Sequence, residues 1–107
     1  MLLLDDDDEL PTLPDEDEAN LHARLGREAV RAIDTAIVIH ARAHWLKVAR
    51  VVHDVISSSG MPFDDAIVAR HIRRVIDLVQ ARLLEARGNL RKPRWSEIRK
   101  PTSPAIP

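Results

Sequence analysis

Between residues 19 and 57 the chain carries no proline and a single glycine, Gly26, while its apolar residues return at steps of three and four. That period marks amphipathic helices and commits the middle of the chain to helix packing. Leu21, Leu25, Ala29, Ile33, Ala36, Ile37 and His40 form the first stripe, with Arg24, Arg27, Glu28, Arg31 and Asp34 largely opposite. The acids at 15–18 suit a helix N-terminus, where the macrodipole favours negative charge. The expectation is one helix reaching His40, with a bend or break near 41–44. Ile37-Val38-Ile39 widens its apolar face, to be buried within the domain or between two copies of the chain.

Trp45, Val48, Ala49, Val52, Val55 and Ile56 make a second stripe, stopped by Ser57-Ser58-Ser59-Gly60. Gly60 reaches the left-handed region at little cost. After Met61-Pro62-Phe63, Asp64 or Asp65 caps a third helix whose buried stripe is Val68, Ile72, Val75, Ile76 and Val79. Arg70, Arg73, Arg74 and Asp77 fall on the remaining arc, so an exposed, basic outer face is expected. The period then changes. Leu84 and Ala86, and later the run from Trp95 to Arg99, approach alternation, and Lys92-Pro93 disfavours helix between them. Two short strands joined by residues 88–94 result. The fold class is mainly α, a helical domain with a C-terminal β-hairpin, winged-helix-like.

A chain of 107 residues allows one small domain, and 45% hydrophobic with 3% aromatic residues makes its core aliphatic. Without cysteine there is neither a disulfide framework nor a thiolate metal site, and a cytoplasmic location is the expectation. The four apolar residues at the start lead into acid, which fits neither a signal peptide nor a membrane span.

The net charge of −1 conceals a segregation. Residues 1–20 hold nine acids and no base; the rest hold eight acids and all sixteen Lys and Arg. Acid repulsion together with Pro11 and Pro14 makes residues 1–15 a disordered arm, and three prolines make 101–107 an extended tail. Residues 16–100 are the folded domain.

Several stretches look familiar together: Trp45-Leu-Lys-Val-Ala-Arg-Val-Val52, the capped helix through Arg74, Leu84-Glu-Ala-Arg-Gly-Asn-Leu90 and Ser96-Glu-Ile-Arg99. Over roughly residues 33–101 the chain resembles a bacterial domain of unknown function, number 3658. The family often carries glycine where this chain has Arg82, so the helix-to-strand turn is expected to lie differently or the helix to run longer. The family also commonly follows an α/β domain for which this chain has no room. The resemblance implies domain boundaries and no activity.

Chemical motifs are weak. His40 and His44 stand at i, i+4, but Ala41 follows the first where a catalytic zinc motif needs glutamate. His53, Asp54 and the serines at 57–59 have the residue types of a hydrolase without a nucleophile turn. Glycines at 26, 60 and 88 build no phosphate loop. No catalytic residue, metal or cofactor is expected. The basic surface is the strongest signal. On a winged helix Arg70, Arg73 and Arg74 would face a DNA groove, Arg91, Lys92 and Arg94 would form the wing tip, and Arg99 and Lys100 the return strand. Trp95 would stack on a base, a mode suited to single strands. Nucleic acid is therefore the first expected partner. The alternatives are an acidic protein docking there, or a homodimer or other protein contact through an aliphatic helix face. The acidic arm itself would compete if it lay over the basic face.

Overall fold

The computed structural model describes residues 8–101. The expectations for residues 1–7 and 102–107 lie outside the described residues. Four helices, α1 (Glu16–Arg24), α2 (Arg27–His40), α3 (Val48–Ser59) and α4 (Asp65–Gln80), pack with three short strands, β1 (Leu46–Lys47), β2 (Glu85–Gly88) and β3 (Ser96–Arg99). The sheet is antiparallel in the order β1-β3-β2. From α2 onward the order helix, strand, helix, helix, hairpin is winged-helix-like, with α1 added in front.

The expected single helix through His40 is two helices. Leu25 is extended (φ −74°, ψ 126°), as is Gly26 (φ −82°, ψ 170°), and the Leu25 N–H closes α1 on the Leu21 carbonyl. Gly26 stands where a helix interior would be weakest. The break lets α1 lie against α4 while α2 turns Ile33 and Ile37 into the core. Asp15 caps α1, its side chain accepting the Glu18 N–H at 2.8 Å, and Asp64 caps α4 through the Ile67 N–H.

The core joins the apolar faces of α2, α3 and α4 to the sheet through Ile98, fully buried on the central strand. Ile98 pairs with Leu46 on one side and Ala86 on the other. Strand β1 was not foreseen: two residues are too few to alternate, and Trp45 and Val48 fit a helical stripe. α3 consequently begins at Val48, after the strand.

Residues 8–15 correct the expected disorder of the arm. Leu10 is 1% exposed, and its N–H donates to the Arg91 carbonyl at 2.7 Å. Glu9 accepts from the Asn89 side chain at 2.8 Å. The local acidity is real, but one apolar side chain among the acids reaches the core, and burying it favours docking.

The turn after α4 is a Schellman closure: the Leu83 N–H donates to the Leu78 carbonyl at 2.9 Å and the Arg82 N–H to Val79 at 3.0 Å. Its left-handed residue is Arg82, φ 64°. Arginine thus occupies the conformation glycine adopts most readily. Arg82→Gly is expected to stabilise the fold by up to about 1 kcal/mol, seen as a higher urea midpoint; a lower midpoint would contradict it.

Gly88 ends β2 at φ 85°, and a Cβ there would stand 2.7 Å from the Trp95 carbonyl oxygen. Backbone strain and this contact add. Gly88→Ala is expected to cost about 2–3 kcal/mol by denaturant titration, and a loss below 1 kcal/mol would contradict it.

Among the described residues no helix is long and apolar enough to cross a membrane.

Candidate nucleic-acid interface

The basic arc of α4 is covered. Arg70 and Arg73 both donate to one carboxylate oxygen, Oε2 of Glu18 on α1. The Glu18 side chain is 3% exposed, and those of Arg70 and Arg73 are 9% and 14%. Arg73 also donates to the carbonyls of Pro11 at 2.8 Å and Thr12 at 3.3 Å. Arg74 forms a fork with Asp34 of α2, both contacts 2.8 Å, and reaches Asp77 at 2.6 Å. The hydrogen bond to Asp34 raises the Arg74 pKa above its ordinary value, against the opposing effect of burial. The expectation of an exposed arc is therefore corrected for all three arginines. All three stand on one side of α4, where Glu18 of α1 and Asp34 of α2 supply carboxylates.

The expected wing residues divide as well. Arg91 pairs with Glu9 at 3.0 Å and donates to Thr12 Oγ1 at 2.8 Å. Arg99 pairs with Glu85 at 2.7 Å while its guanidinium lies 4.3 Å from the centre of the Trp45 ring. Arg87, paired with Glu97 at 2.8 Å, covers the same indole at 4.4 Å. Stacked and paired, Arg99 serves the sheet. Lys100 is exposed beyond β3, its N–H held by the Arg42 carbonyl, and Lys92 is half-buried in the turn before Pro93. The nine expected contacts therefore do not form one continuous exposed face.

Arg94 and Trp95 remain on the surface in the short 3-10 turn Pro93–Trp95, with Trp95 57% exposed. This turn sits against the start of α3. Together they form an open cleft of about 350 Å³ lined by Lys47, Ala49, Arg50, Arg94 and Trp95. Lys47 Nζ lies 5.3 Å from the Trp95 ring centre. Among the described residues Arg50 makes a loose contact with Asp54 at 3.8 Å, an exposed pair of little energetic weight. Lys47 and Arg50 were not expected at this site. They stand some 45 residues before Trp95, on β1 and α3, which the β1–β3 pairing and the packing of the Pro93–Trp95 turn on α3 bring to it.

His40, His53, Ser58 and Ser59 have partners within the fold. His40 Nδ1–H donates to the Ala36 carbonyl at 2.8 Å, and Ser58 Oγ donates to His40 Nε2 at 3.4 Å. His44 lies past the end of α2 and shares no helix face with His40. Ser59 Oγ donates to the Ile56 carbonyl at 2.8 Å, closing α3. His53 and Asp54 meet on the surface at 3.5 Å. Among the described residues no group of three or more His, Asp or Glu side chains is placed to hold a metal.

His71 is buried, with Nδ1–H donating to the Ile67 carbonyl at 2.7 Å and Nε2 without a partner among the described residues. Burial lowers its pKa from the ordinary 6.5, against the opposing Ile67 hydrogen bond. The folded state thus favours neutral imidazole. Above pH 6.5 both states are neutral; below it the unfolded chain gains the proton first and stability falls until the lowered folded pKa is passed. The slope from this group is up to about 1.4 kcal/mol per pH unit. His71→Leu is expected to flatten the fall in stability between pH 6.5 and 5, measured by urea midpoints. An unchanged slope would assign that fall elsewhere.

A scan against protein-family models, a search of curated proteins and a search of solved structures each found no match to this chain.

Proposed function

We propose that this protein is a small, non-enzymatic, winged-helix-like module that binds nucleic acid through the cleft beside Trp95. The observation that carries the reading is the grouping of Lys47, Arg50 and Arg94 around an exposed indole. Cations hold phosphate, and an indole face stacks on any base at about 1–3 kcal/mol per base. The pairing suits an unpaired strand better than a duplex, whose bases are already stacked. A bacterial, cytoplasmic setting and membership of domain family 3658 are parts of the same proposal, resting on the motifs at 84–90 and 96–99.

Fluorescence anisotropy with labelled random oligonucleotides tests it. Binding is expected to be tighter for single strands than for duplex and to fall steeply with salt. Trp95→Ala is expected to weaken single-strand binding about tenfold, and Lys47→Glu with Arg94→Glu to reduce it further. No binding by the unaltered chain at low salt would sink the reading.

A second reading, protein docking, is favoured by the outer face of α2. There Ala32, Thr35, Ala36 and Ile39 line a shallow groove of about 430 Å³, with Ile39 60% exposed between polar flanks. Light scattering across a concentration series distinguishes a self-associating chain from a monomer.

A further inference from the structure

The third helix of the winged-helix order, the one such a fold would lay against DNA, is the helix that α1 and residues 9–12 cover. Three arginines meet that cover: Arg70 and Arg73 on α4, and Arg91 in the hairpin loop. Each is held by atoms that a nucleic-acid backbone would replace in kind. Glu18 and Glu9 supply carboxylate oxygens, and Pro11, Thr12 and Leu10 supply carbonyl oxygens. The match in charge is incomplete. Two guanidiniums share one carboxylate oxygen, and Arg70 Nε, buried in the same place, has no partner among the described residues. The pocket under α1 therefore holds more positive charge and more donors than its cover satisfies.

We infer that Arg70, Arg73 and Arg91 form a second phosphate-binding surface, specific for duplex backbone, which residues 9–18 occupy as an internal mimic. The inference rests on the nucleic-acid reading of the Trp95 cleft and adds its regulation. With the cover in place, only the cleft binds; with the cover displaced, the face of α4 and the hairpin loop engage duplex together. The cover is suited to displacement. It docks through one buried apolar side chain, Leu10, and one buried carboxylate, Glu18, with Pro11, Thr12, Leu13 and Pro14 exposed between them, and α1 is joined to α2 by the extended Leu25-Gly26 step. Duplex and cover would compete for the same three guanidiniums, so binding of one releases the other.

The experiment compares full-length chains on a labelled 20-base-pair duplex across a salt series. Leu10→Asp releases the cover. It is expected to tighten duplex binding about tenfold and to steepen the slope of log K against log salt by about 2.7, the value for three added phosphate contacts. A second pair of samples guards against misfolding of that variant. Because the chain has no cysteine, Glu9→Cys with Asn89→Cys creates two unique thiols at positions whose native side chains touch. Joined by a short bismaleimide they lock the cover, and unjoined they leave it free. The locked form is expected to bind duplex at least fivefold more weakly than the unjoined form, with the shallower salt slope. Equal affinities and slopes for locked and unjoined chains would overturn the cover. If all forms still bound single strands through Trp95, the reading of the cleft would stand. Loss of single-strand binding in every form would instead remove the cleft reading.

Discussion

Replacing Glu18 by alanine is expected to lower the unfolding free energy by about 3–5 kcal/mol, the scale for stripping one partner from a buried ion pair. Glu18 is the only carboxylate that contacts Arg70 and Arg73 among the described residues, and all three side chains are largely out of water. Arg73 keeps the carbonyls of Pro11 and Thr12, which are dipoles and do not neutralise it. Among the described residues Arg70 has no partner at its Nε, and it loses its only carboxylate contact. The measurement is a urea titration followed by far-ultraviolet circular dichroism. Glu18→Gln is expected to retain a hydrogen-bond acceptor but most of the loss, because the missing quantity is charge. A loss below 1 kcal/mol for both variants would show that water reaches the two arginines. It would then place α1 away from α4 in solution.

Leu10→Ala is expected to cost about 3 kcal/mol, within the usual range for a leucine truncated in a core. Leu10 is the one buried apolar residue of the arm, and its loss leaves a cavity beside the hairpin loop and removes the main attachment of residues 8–15. Hydrogen exchange separates these effects. Protection should fall at the Leu10 amide, which donates to Arg91, and in α1, while the central strand β3 stays protected. Unchanged protection at Leu10 together with unchanged stability would contradict the docked arm. The expected losses for Leu10 and Glu18 are coupled, since Leu10 holds the N-terminal segment on the hairpin loop and Glu18 holds it on α4. Their double variant should therefore lose less than the sum.

Much of the fold was legible in the residues themselves. The stripes of α2, α3 and α4, the Asp64 cap and the hairpin were readable because each is set by local periodicity or local hydrogen bonding. The division of the first helix at Leu25-Gly26 was not, since a lone glycine is tolerated within a helix and the turn profits from contacts with α4. The two-residue β1 was not either, because its only reason to exist is its pairing with Glu97 and Ile98. Of the site, Arg94 and Trp95 were legible as a basic and aromatic pair in a loop. Lys47 and Arg50 were not, since nothing near them in the chain points to position 95.

The fate of the arginines marks the boundary between the two kinds of information. Helical spacing puts Arg70, Arg73 and Arg74 off the main apolar stripe, and it does so without any reference to the rest of the chain. Whether that side meets water or a carboxylate depends on which segment folds over it. Glu18 lies more than 50 residues away and Asp34 lies 40 away, distances over which no local pattern carries a signal. Sequence alone determined that acids gather at the front of the chain and bases behind them. The tertiary structure decided that they meet, because burying Leu10 and docking α1 bring Glu9 onto Arg91 and Glu18 onto Arg70 and Arg73, and low exposure strengthens the Glu18 contacts.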